Sequence, residues 1–153
     1  MRLAFNGPLE LMRQFDWGHD HYALAHECLK DPKLVKFYAK SDKTVILDNG
    51  ADEIKEGLGG KPLQELIEQI KPDYCILPDV LEEAELTRER SLEFLSNATK
   101  LKHQPKWMAV IQGKTLEEWT NELFFWMSHP SVSLIGIPYD INFEVPNEPK
   151  YIS

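Results

Sequence analysis

Four short segments carry the side chains best suited to chemistry: Asp48-Asn49-Gly50-Ala51, Pro78-Asp79-Val80, Gln112-Gly113 and Gly136-Ile137-Pro138-Tyr139-Asp140. Each follows directly on an apolar run. A carboxylate accepts hydrogen bonds from N–H donors, and a carboxamide both donates and accepts. Glycine lets a ligand approach the main chain. Brought to one mouth, two carboxylates, a carboxamide and several small residues would suit a flat heterocycle with mixed donor and acceptor edges. Each segment also has an ordinary structural reading. Asp48-Asn49-Gly50 reads as a turn, Asp79 as the N-cap of a helix beginning near Leu81, Gln112-Gly113 as a strand-to-helix turn and Asp140 as a loop residue. Repetition at equivalent positions, not any one motif, favours a site.

The elements that must position these residues follow from apolar periodicity. Runs at 2–5, 44–47, 74–77, 107–111 and 132–137 are rich in Val, Ile, Leu or aromatics and bounded by Gly, Pro, Asp or Asn, the pattern of buried strands. Helical patterns lie between them. Asp31-Pro32 is an N-cap followed by proline at the first helical position, with Leu34, Val35 and Tyr38 as its apolar stripe. Pro62 starts a helix in which Leu63, Leu66, Ile67 and Ile70 keep the i, i+3, i+4, i+7 spacing. Leu81, Ala84, Arg88, Leu92 and Leu95 mark one face of a longer helix. Thr115 and Glu118 fit a capping box; Leu116, Trp119, Leu123 and Trp126 form the stripe that follows, and His129-Pro130 ends that helix. The stretch 8–42 has room for two helices. From the second run onward, strands recur roughly every 25–35 residues, the size of a βαβ unit.

The pattern predicts the α/β class, with parallel strands alternating with helices in one domain over residues 1–153. Two architectures fit. One is a partial (β/α)8 TIM-type barrel with five strands, a fold that normally needs about 250 residues. The other is an open doubly wound sheet. Both place functional groups at the carboxyl ends of the strands.

The strand-end residues resemble those of the tRNA-guanine transglycosylase superfamily, most of all its phage and bacterial members tied to 7-deazaguanine modification of DNA or tRNA. Val45-Ile46-Leu47-Asp48-Asn49-Gly50-Ala51 is similar to the family's strand ending in Asp-Ser-Gly-Gly. Tyr74-Cys75-Ile76-Leu77-Pro78-Asp79 resembles the next strand, which ends in a substrate-reading Asp. Ala109-Val110-Ile111-Gln112-Gly113 resembles the Val-Gln-Gly strand, and Leu134-Ile135-Gly136-Ile137 the glycine-bearing strand after it. The likeness covers roughly residues 44–140. It implies that Asp48 acts as a general acid/base or holds the reacting ribose, with Asn49 and Gly50 beside it. Asp79 would accept from the N1–H and exocyclic amine of guanine or a 7-deazaguanine. Gln112, with Gly113, and the Gly136 N–H would donate to the base carbonyl. The family reaction is a base exchange: an Asp attacks the ribose anomeric carbon, guanine leaves, and a 7-deazaguanine replaces it. The target base must leave its stack in the tRNA or DNA.

The sequence also departs from the family. The nucleophilic Asp comes from a strand beyond the fifth, and Asp140 is the one candidate here. The family's zinc set, Cys-x-Cys-x2-Cys with a distant His, is absent, so neither metal nor cofactor is expected. Ala51 replaces a glycine, and Asp52 stands near where many relatives carry a stacking aromatic. The resemblance thus implies the substrate-reading half of a barrel. An unclosed barrel leaves two sheet edges that invite partners, so a homo-oligomer or a second chain completing the barrel is expected. A flavodoxin-like module is a third reading. It calls for a phosphate-cradling loop after the first strand, where Asn6-Gly7-Pro8 is a poor match.

The bulk properties bound these readings. With 42% hydrophobic and 27% charged residues the chain is globular, not disordered or disulfide-stapled. No apolar stretch approaches 18 residues and no signal-peptide pattern opens the chain. Cys28 and Cys75 are far apart, so a reducing, cytoplasmic setting without membrane contact is expected. The formal net charge of −8 argues against a general nucleic-acid coat protein. Any phosphate contact would be local, along Lys30, Lys33, Lys36, Lys40 and Lys43 or along Lys100, Lys102, His103, Lys106 and Lys114. Solvated helix ends are the simpler account of both. His19-Asp20-His21, His26 and Cys28 invite a metal reading. His21 and His26, however, do not share a helix face, and Asp20 reads as the cap of a following helix. Gly57-Leu58-Gly59-Gly60-Lys61 lacks a preceding strand and the Gly-Lys-Ser/Thr ending of a phosphate loop. It reads as a flexible loop beside the pocket. Trp107, Trp119 and Trp126 sit at core spacing, and Trp17 beside Gly18 is the tryptophan placed for exposure.

Overall fold

A computed structural model of the chain describes residues 3–14, 18–51 and 58–138. Burial alternates along the strands at 44–48 and 106–110. Val45 and Leu47 are buried while Thr44, Ile46 and Asp48 are half-buried; Trp107 and Ala109 are buried while Met108 and Val110 are half-buried. Successive strand side chains point to opposite faces, so one face of the sheet is packed and the other is only partly covered. The strands are β1 (Ala4–Phe5), β2 (Asp20–Leu24), β3 (Thr44–Asp48), β4 (Tyr74–Ile76), β5 (Lys106–Val110) and β6 (Val132–Gly136). All pair in parallel, in the order β1-β2-β3-β4-β5-β6.

The sheet is not closed into a barrel, as an open sheet requires. Its winding order is that of a barrel, since each strand lies beside its predecessor without the reversal at which doubly wound sheets change side. Right-handed crossovers that always step the same way lay their helices on one face. The helices described are α1 (Leu9–Gln14), α2 (Ala25–Lys30), α3 (Pro32–Tyr38), α4 (Gly60–Ile70), α5 (Ala84–Ala98) and α6 (Leu116–Met127). The core takes Ala23, Leu47, Cys75 and Trp107 from one row across the sheet. It packs them against Cys28, Leu63, Ile67, Phe94 and Trp126 from the helices. The opposite face carries Tyr22, Ile46, Met108, Val110 and Leu134, half-buried or exposed, together with Leu24 and Ile76, which are buried.

Local signals in the sequence account for two of the helix starts. The Asp31 side chain accepts from the Lys33 N–H at 2.9 Å, with Pro32 opening α3. Thr115 and Glu118 form the reciprocal capping box of α6. Leu63, Leu66, Ile67 and Ile70 are all at most 2% exposed. Burial of each such side chain contributes about 1.5–3 kcal/mol, an upper bound because the unfolded chain is already partly compact.

Three expectations are corrected. Among the described residues the sheet has six strands, not five, because Asp20–Leu24 is a strand and Asp20 caps no helix: α2 begins at Ala25 after Leu24, without a side-chain cap. Its polar start is tolerated because His21 meets Ser41 Oγ at 3.0 Å and packs its ring on Phe37 and Tyr38. The long helix α5 starts at Ala84 and buries Thr87, Ser91, Phe94 and Ala98, while Leu92 is exposed. Leu116 stands 61% exposed at the head of α6, so the stripe there runs through Trp119, Leu123 and Trp126 instead, with Glu122 buried among them. Asp140, Trp17 and Asp52 lie outside the described residues.

Candidate functional site

The ends of β3, β4 and β5 deliver Asn49, Asp79 and Gln112 into one hydrogen-bonded network. Asn49 Nδ2 donates to Asp79 Oδ1 at 2.7 Å and to the Leu77 carbonyl at 2.8 Å. Gln112 Nε2 donates to Asp79 Oδ2 at 2.6 Å. The three residues are 0%, 4% and 5% exposed in that order. Two backbone donors fix which way the carboxamides face: the Ala51 N–H donates to Asn49 Oδ1 at 3.0 Å, and the Glu82 N–H to Gln112 Oε1 at 3.0 Å. With each oxygen so engaged, both NH2 groups must point at Asp79, and Asp79 must accept at both oxygens. Burial pushes the Asp79 carboxyl above its ordinary value; the Asn49 and Gln112 donors oppose this and the Asp48 charge adds to it.

Asp48 ends β3 beside this network. Its carboxylate accepts from the Tyr22 hydroxyl at 2.6 Å and from the Gly50 N–H at 2.9 Å. The segment Asp48-Asn49-Gly50 is therefore also a turn, with each acidic or amide side chain closing on the backbone two residues ahead. Gly50 has φ +80°, and a Cβ there would lie 2.5 Å from His26 Nδ1. The His26 nitrogen is buried against the turn without a hydrogen-bond partner among the described residues.

The helix behind the site holds the loop that bears Asp79. Thr87 Oγ1 accepts from the Val80 N–H at 2.9 Å and donates to the Val80 carbonyl at 3.1 Å; Ser91 Oγ donates to the Pro78 carbonyl at 2.8 Å. Asp79 is no helix cap, since Glu83 occupies that position at the start of α5. Glu82, with φ +62°, turns the loop through the left-handed region and so aims its N–H at Gln112. Tyr22, His26, Glu82, Thr87 and Ser91 all shape this site, and sequence patterning assigned none of them to it. Tyr22 was legible only once β2 is known to be a strand, because only then does it share a face with Asp48.

The remaining candidates stand apart from the network. A Cβ on Gly113 would meet Glu118 Cβ at 3.0 Å, so that glycine permits α6 to pack close behind β5. Gly136 pairs with Val110 on the partly covered face, where a Cβ would press on Val110 at 3.1 Å. Both cysteines are free and buried; burial pushes the Cys28 thiol up to about 12 and Cys75 further still, which leaves them unreactive at neutral pH. No cluster of three or more His, Cys, Asp or Glu able to hold a metal occurs among the described residues. No helix among them is long and apolar enough to cross a membrane. Comparison with protein families, with characterised proteins and with solved structures gives no match to this chain.

Proposed function

We propose that the chain binds a guanine or 7-deazaguanine edge at the ends of β3, β4 and β5, in the manner of tRNA-guanine transglycosylases acting on tRNA or DNA. The supporting observation is the Asp79 carboxylate with an N–H donor on each oxygen. A guanine-type base offers the same pair of donors, its N1–H and its amino group. On this reading Gln112 leaves Asp79 when the base arrives and donates instead to the base carbonyl. Asp48, oriented by Tyr22 and Gly50, then serves the ribose or the departing base as acid or base. Calorimetric titration with 7-deazaguanine tests the reading. Saturable binding that weakens at least about tenfold in Asp79→Ala is expected, the loss of a charge-assisted pair. No binding by the wild type, or equal binding by the variant, overturns it.

A second reading is favoured by the sheet itself. Tyr22, Ile46, Met108, Val110 and Leu134 leave one face partly covered, and among the described residues β1 and β6 each pair on one side only. On this reading the chain is a half-barrel that pairs with another copy or a second chain, and the Asn49–Asp79–Gln112 network braces three strand ends. Sedimentation of the isolated chain separates the two. A stable monomer that binds the base supports the first, and an associating chain that binds none supports the second.

A further inference from the structure

A cavity lies at the other end of the strands from the site. It measures about 630 Å³ and opens between α1 and α3, where β2 and β3 begin. Arg13 enters from α1, Lys33 and Lys36 from α3, and Lys40 and Lys43 from the turn after it; Asp42 is the one carboxylate in the lining among the described residues. Arg13 is paired with Glu10 at 3.4 Å, and Lys43 Nζ donates to the Gly18 carbonyl at 3.0 Å. Lys33, Lys36 and Lys40 make no ion pair among the described residues. Lys33 and Lys36 stand three residues apart on α3, where like charges repel, and Lys40 follows in the turn after it. The last carbonyls of α3 are not left bare to balance them. Those of Val35, Phe37 and Tyr38 accept from the N–H groups of Ala39, Lys40 and Ser41. Phe37 lines the same cavity, with its ring 5.1 Å from that of His21.

We propose that this cavity binds a small phosphate-bearing molecule, its phosphates held by Lys33, Lys36 and Lys40 and its uncharged part resting on Phe37. Three ammonium groups with no ion pair among the described residues, two on α3 and one in the turn after it, call for a multiply charged anion; a single carboxylate would neutralise one of them. Lysine acts as a point charge and suits phosphate without a fixed fork geometry. The volume lies within the range of small-molecule sites. The net charge of −8 works against an extended polyanion that would run beyond this basic hollow, which favours a compact ligand over a nucleic-acid backbone. The second basic stretch contrasts with this one. There Lys114 is bound to Glu83 and Lys106 lies over the Tyr74 ring.

The test is calorimetric titration of the full chain with inorganic pyrophosphate and with adenosine triphosphate, at matched ionic strength. One-to-one saturable binding is expected. It should weaken at least about tenfold in Lys36→Ala/Lys40→Ala and stay unchanged in Lys100→Ala/Lys102→Ala, with thermal melts showing that both variants fold. No saturation, or equal binding in the two variants, overturns the site. So does tight binding of a short single-stranded oligonucleotide that pyrophosphate does not displace, which would make the basic hollow part of a nucleic-acid track. None of these outcomes depends on base binding at the strand ends.

Discussion

Two backbone N–H groups, those of Ala51 and Glu82, decide the polarity of the buried network, and this makes Asp79→Asn a harsher change than its shape suggests. An asparagine would bring an NH2 group against the NH2 of Asn49 or Gln112, and neither carboxamide can turn without opposing the backbone donor on its oxygen. Loss of about 1–3 kcal/mol in urea denaturation is expected. Relief of the buried charge works in the opposite direction, and pH separates the two effects. Burial holds the Asp79 carboxyl above 3.8, so the folded state takes the proton more readily than the unfolded chain. The stability that Asp79 contributes is then full below pH 3.8 and declines as pH rises through the raised value. The difference between wild type and Asp79→Asn, which cannot titrate, should shrink with rising pH across that window by at most about 1.4 kcal/mol per pH unit. A difference that grows with pH would mean that the donors outweigh burial. Gly50 carries a separate prediction. Gly50→Ala forces a Cβ into the left-handed region and into the His26 ring, at a cost of about 1–2 kcal/mol for the backbone alone. His26→Ala should return the steric part of the loss but not the backbone part, and a double-mutant cycle by thermal denaturation reads that split.

Between residue and sheet, α5 does for the site what its sequence does not advertise. Thr87 and Ser91 occupy core-facing positions to hold the loop at Pro78 and Val80, and an apolar-stripe search passes over them in favour of Leu92. Thr87→Val keeps the shape but strips the Val80 N–H and carbonyl of their partner. It should cost about 1–3 kcal/mol and raise amide exchange in residues 78–83, whereas Leu92→Ala, at an exposed position, should stay within about 0.5 kcal/mol. Equal effects would return α5 to an ordinary packing helix. The same contrast explains what was legible. The Asp31-Pro32 start, the Thr115–Glu118 box and the Leu63–Ile70 stripe are local patterns, and each forms as its sequence reads. β2 was missed because Asp20 and His21 look like turn residues until Ser41 and Phe37, some 20 residues on, are folded over them. The approach of Asp79 and Gln112 was legible from their common place after strands, but the third member is Asn49 rather than the Asp48 or Gly136 expected beside them. That their polar groups face one another was not, because it depends on the Ala51 and Glu82 backbone.

At the scale of the molecule, winding order decides what is left uncovered. Six parallel strands laid in sequence put their helices on one face, so the side carrying Tyr22, Ile46, Met108, Val110 and Leu134 has no helix layer of its own among the described residues. In a barrel such a face is the packed interior; on an open sheet it is an apolar surface that association can cover. Leu134 is the sharpest probe because it lies on the edge strand β6 and is 39% exposed. If the face is an interface, Leu134→Lys places an ammonium within it. Sedimentation velocity should then show the chain shift toward monomer, while its midpoint of thermal unfolding, taken at concentrations where the wild type is also monomeric, stays nearly unchanged because the lysine stem can reach solvent. A wild type that is monomeric at all concentrations, with a variant that behaves identically, would show that the open face stands alone in water and would remove the half-barrel reading.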